Sequence, residues 1–335
     1  MVNITVQVLS VILIFISIFI TGFHDEGNLI ATIITSRSLN AVPVFVIAFA
    51  SQFFGILFLG TKVALGTVNG LFNLDSVSQH AEKIPTAICA AILGTVIWNL
   101  ITWAFAIPSS SSHALVGGLL GPFILQFGAK SVNGRGLIFS VLIPLFTSPI
   151  IGYIVGMLFF KASKWLFSRR FIRVRIALKG TQIFTCVLIN AFQGSNDAQK
   201  GIGVLALLSL TMGNTLQISR STILFSSLAL SFGLLFGGLK MIRSVGTRIY
   251  GVRPLHSMCS QVSAASVIVS ASLLGFPVSG TQIVNSAILG VGSADRPNAV
   301  GWEFAKNMLK AWVITIPATF TLSSILFLTL KYFWM

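Results

Sequence analysis

Long apolar runs separated by short polar breaks dominate this chain. A membrane-spanning helix needs about 20 mostly apolar residues. Ten stretches meet or approach that length: 4–22, 41–61, 85–107, 109–128, 136–160, 181–212, 221–239, 257–276, 278–292 and 307–332. The pattern predicts an all-α polytopic membrane protein. Two stretches are not plain spans. The run 181–212 is broken by Gln193-Gly194-Ser195-Asn196-Asp197, and 278–292 is short for a straight crossing. Interrupted and short segments mark midplane sites in secondary transporters, so interrupted or re-entrant helices are expected here. The apolar N-terminal stretch lacks a basic start and a small-residue cleavage site, and reads as a retained span.

Motifs recur in the same order along the chain. Gly22-Phe-His-Asp25-Glu-Gly-Asn28 is echoed by Gly194-Ser-Asn-Asp197-Ala-Gln-Lys200 at an offset of 172. Phe54-Gly55 through Lys62 is echoed by Phe232-Gly233 through Lys240 at 178. Pro108-Ser109-Ser110-Ser111-Ser112-His113 is echoed by Pro277-Val278-Ser279-Gly280-Thr281-Gln282 at 169. Five spans per half would turn the second half upside down, giving an inverted-topology repeat with its site between the halves. The expected division is 1–160 for the first repeat, 161–180 for a basic connector and 181–335 for the second repeat.

Composition narrows the class. Hydrophobic residues make up 55% of the 335 positions and charged residues 9%, against about 25% charged in soluble domains. That excludes a soluble enzyme, a disordered chain and a disulfide scaffold. Cys89, Cys186 and Cys259 lack metal-like spacing and read as small buried residues. The formal charge of +15 does not indicate nucleic-acid binding on so little polar surface. Its distribution follows the positive-inside rule instead. With 161–180 cytoplasmic, 15 of the 22 Lys and Arg residues fall inside and both termini fall outside.

Acids inside spans are costly and mark ion paths. Asp25 and Asp197 sit at equivalent positions, beside residues that permit unwound backbone. Asp25 with Asn28 suits Na⁺, or the carboxylate alone suits H⁺. Lys200 stands where the first repeat has Asn28, so a tethered ammonium can fill the second cation site beside Asp197. The serine runs read as helix N-termini whose free N–H groups and hydroxyls face an oxyanion, brought together by a pseudo-two-fold. His24 is a possible proton partner for Asp25, and His113 for the anion.

These motifs resemble the duplicated signature of the inorganic phosphate transporter (PiT) family. The runs Ile107 to Gly118, Asn196 to Gly201 and Ala311 to Pro317 are most similar to its bacterial branch. The resemblance covers nearly the whole chain. It implies a symporter that imports inorganic phosphate with H⁺ or Na⁺ by alternating access, in a bacterial inner membrane and as a homodimer. It assigns phosphate to Ser110, Ser111, Ser112, Ser279, Thr281, Asn28 and Asn196, and cations to Asp25 and Asp197. No enzymatic activity and no cofactor beyond the coupling ion is expected.

Gly280 and Gln282 stand where the family has Thr and His. Gln193 stands where the bacterial branch has His, and Gln261 where it has Glu. The loss of these titratable groups leaves Asp25, Asp197, His24, His113 or phosphate itself to carry protons. Gly280 removes a hydroxyl and is expected to let backbone approach the anion. Sulfate or a metal–phosphate complex as cargo, and a passive anion channel, remain open alternatives at this level.

Overall fold

The computed structural model describes residues 4–107, 109–167, 171–212 and 216–334, with side chains at most of these positions. Pro108, Arg169 and Arg170, and the side chains of Arg173, Arg175, Lys240, Arg243 and Arg248, lie outside the described residues. Every regular element described is helical. Helix α1 (Ile4–Thr21) passes through a π-helical turn (Gly22–Glu26) into α2 (Gly27–Thr35). Then come α3 (Ala41–Phe58), α4 (Lys62–Leu71), the short α5 (Leu74–Ser78), α6 (Ile84–Ala104) and α7 (Ser111–Phe127). A single turn α8 (Gly134–Gly136) leads through a second π-turn into α9 (Ile143–Phe167). The chain finishes with α10 (Phe171–Ser209), α11 (Arg220–Arg248), α12 (Pro254–Leu273), α13 (Gly280–Asp295) and α14 (Trp302–Trp334).

Six helical stretches among the described residues are long and apolar enough to cross a membrane: Ile4–Thr35, Ala41–Phe58, Ala81–Ala104, Gly134–Leu166, Arg220–Gly238 and Trp302–Tyr332. The other four expected spans form α7, α10, α12 and α13, which carry buried polar residues. Helix α1 shows the inside-out distribution expected in lipid. Ile4, Val8, Ile12 and Ile16 face outward, while Ser10 and Ser17 are buried. At 1.5 Å per residue, α7 and α13 are roughly 25 Å long, short of the ~30 Å hydrocarbon core. Helix α7 packs between α6 and α14, and α13 between α12 and α9.

The expected interruption at Gln193–Asp197 does not occur, because α10 runs unbroken through it. The small residue at 194 serves close packing: a Cβ there would lie 2.8 Å from Gln52 Cγ. Small residues let membrane helices approach, and these contacts hold α10 without unwinding it. At Asp25 the backbone is likewise coiled, as a wide π-turn rather than an unwound segment. Such turns insert one extra residue per helical turn and re-aim side chains. Here the turn is clamped on α11, where Gly22 and Gly233 meet backbone of Leu230 and Phe19 within 2.2 Å of an added Cβ. Helices α9 and α10 also run into the expected connector 161–180.

Candidate transport site

Two helix N-termini meet in the interior. Ser110 takes an extended conformation (φ −127°, ψ 114°), and its Oγ accepts the His113 backbone N–H at 3.3 Å, capping α7. Ser279 is extended ahead of α13 (φ −105°, ψ 106°). The Ser110 hydroxyl donates to Ser279 Oγ at 3.0 Å. The first turn of each helix leaves N–H groups without intrahelical partners, so donors converge from two directions.

Charged groups grip this junction from both sides. The Asp25 carboxylate lies at the α7 N-terminus, where it accepts the Ser111 N–H at 3.3 Å and also the Ser111 hydroxyl. Its other oxygen is 2.7 Å from His24 Nδ1. The far nitrogen of His24 meets Thr102 Oγ1 at 3.1 Å. Lys200 Nζ donates to Asp197 Oδ1 at 2.5 Å, Ser112 Oγ at 2.6 Å and the Val278 carbonyl at 2.7 Å. All three ammonium protons therefore have oxygen acceptors. Lys200 is 4% exposed and is the one buried Lys or Arg among the described residues, so it does not snorkel to an interface.

The remaining residues singled out in the sequence divide into two groups. Asn28 Nδ2 donates to Thr281 Oγ1 at 3.3 Å, and its Oδ1 is buried with no hydrogen-bond partner. It thus faces the junction with a free oxygen beside Asp25. Asn196 does not face it. Its Nδ2 donates to Phe276 O at 2.9 Å and Ser272 Oγ at 3.2 Å, and its Oδ1 accepts the Val278 N–H at 3.2 Å. Both ends of that amide brace the segment entering α13, so Asn196 positions the helix instead of offering a free ligand atom. His113 Nδ1 lies 2.8 Å from Ser110 Oγ and 3.3 Å from Gln282 Nε2.

Gly280 has a different use from the one expected. A Cβ there would lie 2.5 Å from Gln193 Cδ, so the missing side chain makes room for Gln193 rather than for an approaching anion. Gln261 Nε2 donates to Leu29 O at 2.7 Å and Thr32 Oγ1 at 2.9 Å. A carboxylate could not make those bonds, which accounts for an amide at that position.

One residue was missed in the sequence. Glu26 is fully buried beside Asp25, and Gln52 Nε2 donates to its Oε2. Its Oε1 has no hydrogen-bond partner. The signal was present, since Glu26 is one of seven acids and lies in the same apolar run as Asp25. A small cavity of ≈20 Å³ adjoins the junction, lined in part by Thr21, Ser111, Ser112, Asp197 and Lys200.

A bundle of apolar helices around buried acids, a buried ammonium and paired helix N-termini defines a polytopic membrane protein with a polar, charged interior. Comparison with known proteins specifies which kind. The model of the Phosphate transporter family matches residues 21–323. A probable low-affinity inorganic phosphate transporter of Rhizobium meliloti (strain 1021) is 34% identical over 313 residues, covering 92% of this chain and 91% of the relative. A protein of the same description from Bacillus subtilis (strain 168) is 33% identical, covering 93% of each. In fold, the chain is similar to a solved structure described as the sodium-dependent phosphate transporter, with TM-score 0.87, 22% identity and coverage of 98% and 99%. The chain belongs to the phosphate transporter family.

Proposed function

We propose that this chain is a secondary transporter that imports inorganic phosphate together with H⁺ or Na⁺ by alternating access. It sits in a bacterial inner membrane with both termini outside. The observation that carries this reading is the meeting of Ser110 and Ser279 at 3.0 Å, with Asp25 on one side and Lys200–Asp197 on the other. Donors for an oxyanion and acids for a cation are thus in direct contact. The relatives described as phosphate transporters support phosphate as the anion, and the solved neighbour's description supports Na⁺ among the possible partners.

Contacts across the centre support an inverted repeat. Ser110 with Ser279 and His113 with Gln282 both join positions 169 residues apart, the offset of the repeated motif. Equivalent residues touch each other only near a two-fold axis. Gly121 packs on Phe320 of α14, and its counterpart Gly290 packs on Tyr153 of α9.

Coupling follows from who holds the α7 N-terminus. The Asp25 carboxylate takes the Ser111 N–H and hydroxyl. A cation drawn to Asp25 and the free Asn28 oxygen weakens that hold. Ser111 then becomes available to the anion along with Ser110, Ser112, Ser279 and Thr281. Lys200 serves as a built-in cation at the second site, while Asn196 keeps α13 in place. The anion separates Ser110 from Ser279 as it enters, and the halves rock around it.

Uptake of labelled phosphate into proteoliposomes, under imposed Na⁺ and H⁺ gradients, tests this reading. Accumulation should require one of the gradients and fall at least tenfold in Asp25→Asn. Accumulation of wild-type extent in that variant refutes the coupling role. Uptake indifferent to both gradients marks a channel, and labelled sulfate taken up in place of phosphate marks a sulfate permease.

A further inference from the structure

Gln193 is fully buried on α10, yet neither its Oε1 nor its Nε2 has a hydrogen-bond partner. Leaving a buried carboxamide wholly unpaired forfeits the desolvation cost of both groups. The side chain is confined to one place. It occupies the space beside Gly280, the first residue of α13, where an added Cβ would lie 2.5 Å from Cγ and Cδ and 2.9 Å from Nε2. Ser279 and Thr281 flank that glycine in sequence. The unpaired amide therefore stands at the N-terminus where the two helix ends converge.

We propose that Gln193 is a specificity-determining ligand of the transported anion, with Nε2 donating to an anion oxygen and Oε1 accepting the hydroxyl proton of hydrogen phosphate. The proposal rests on the phosphate reading above. Hydrogen phosphate and sulfate are both tetrahedral dianions of similar size, and backbone N–H groups and lysine can only donate to either. An acceptor tells them apart, because it takes the proton of hydrogen phosphate but meets a bare oxygen of sulfate, lone pair against lone pair. Asn28 Oδ1 is another unpaired carboxamide oxygen near the junction. It lies on the Asp25 side, where a cation claims it. Glu26 Oε1 and His113 Nε2 are also unpaired, and Ser and Thr hydroxyls can accept as well. Gln193 differs from these in holding an unpaired acceptor and an unpaired donor on one planar group beside Gly280.

The test uses labelled-phosphate counterflow in proteoliposomes, with unlabelled phosphate, sulfate and monofluorophosphate as competitors at neutral pH. Monofluorophosphate is a tetrahedral dianion with fluorine in place of the hydroxyl. Wild type that exchanges no phosphate refutes the phosphate reading itself and is recognised before any variant is made. With exchange established, both proton-free anions should compete at least about tenfold more weakly than phosphate. Gln193→Met, of similar length and without hydrogen-bonding groups, should raise the half-saturating phosphate concentration about tenfold or more while leaving the other two anions within about threefold. Gly280→Ala, which displaces the carboxamide without removing it, should shift selectivity in the same direction. Equal weakening for all three anions indicates a packing role and overturns the proposal, as does unchanged selectivity in Gln193→Met. If that variant does not fold, the wild-type comparison decides: competition by monofluorophosphate as strong as by phosphate overturns it, and weak competition supports it.

Discussion

Replacing Lys200 with methionine strands a carboxylate in the interior. The ammonium satisfies Asp197 at 2.5 Å, Ser112 at 2.6 Å and the Val278 carbonyl at 2.7 Å. The two charged side chains are 5% and 3% exposed, so water cannot substitute for the lost partner. Removing one member of a buried pair costs about 3–5 kcal/mol, because the survivor keeps its desolvation penalty. In chains of 150–250 residues 1 kcal/mol shifts Tm by about 2–4 °C, and the shift shrinks with length. Lys200→Met should therefore lower Tm by roughly 5–10 °C in thermal unfolding of the purified protein. Adding Asp197→Asn should restore much of the loss, leaving a coupling energy of about 2–3 kcal/mol between the two sites. A third variant, Lys200→Asn, probes the ammonium's role as a resident cation. It exposes three oxygens that Na⁺ can take, so Na⁺ should stabilise it by about 2.7 kcal/mol at a hundredfold excess over Kd. Wild type should gain nothing at this position. A Lys200→Met variant within about 1 kcal/mol of wild type, or additive single and double variants, would refute this account of the pair.

Three further predictions follow from other contacts. Gln52 supplies a hydrogen bond to Glu26, so Gln52→Leu should cost about 2–3 kcal/mol, and less than half of that in a Glu26→Leu background, by denaturant or thermal unfolding. Gly233→Ala puts a methyl 2.2 Å from the Phe19 carbonyl and should cost about 3 kcal/mol with loss of uptake, whereas Gly180→Ala, exposed on α10 with open space around it, should leave uptake intact. Near the far end of α13, Asp295 accepts from Tyr250 at 2.9 Å and Lys164 at 3.1 Å, and lies 3.2 Å from His256. Partial burial works to raise its carboxyl, but those hydrogen bonds and the His256 and Lys164 charges outweigh it and hold the pKa below the ordinary value. A folded-state pKa below the unfolded one contributes stability that is complete above about pH 4–5 and is lost as pH falls through the lowered value. Asp295→Asn should therefore lower Tm at neutral pH, and the gap to wild type should close on acidification below that range.

Much of the site could be read from residue order. The Ser segments were legible as helix N-termini because an extended residue ahead of a helix has a local cause, with Ser110 capping α7 through its hydroxyl and Ser279 extended ahead of α13. Asp25 and Asp197 were legible because an acid in an apolar run needs a reason. The reading failed where local sequence is ambiguous. Gly194 beside polar residues looked like a break in α10, but its small size serves contact with Gln52 on α3. Gly280 looked like an opening for the anion, but its space is filled by Gln193 from α10. Asn196 looked like a ligand, yet its amide is fully used on the entry to α13. A glycine or an asparagine acts on whatever lies opposite, and the neighbour is not encoded nearby.

The sequence by itself determined that this is a helical membrane protein with duplicated motifs, and which hydroxyls, acids and lysine have no ordinary reason to be there. Hydropathy and capping act over one or two helical turns, so they can be read along the chain. Only the tertiary structure decided that Ser110 meets Ser279, that Lys200 spans Asp197 and Ser112, that Glu26 joins the buried acids, and that Gln193 arrives at Gly280 unpaired. Helices that are apolar nearly all round carry little information about which face turns inward. Rotation and pairing are set by close packing between small residues far apart in the chain, and that packing decides which polar atoms share the centre.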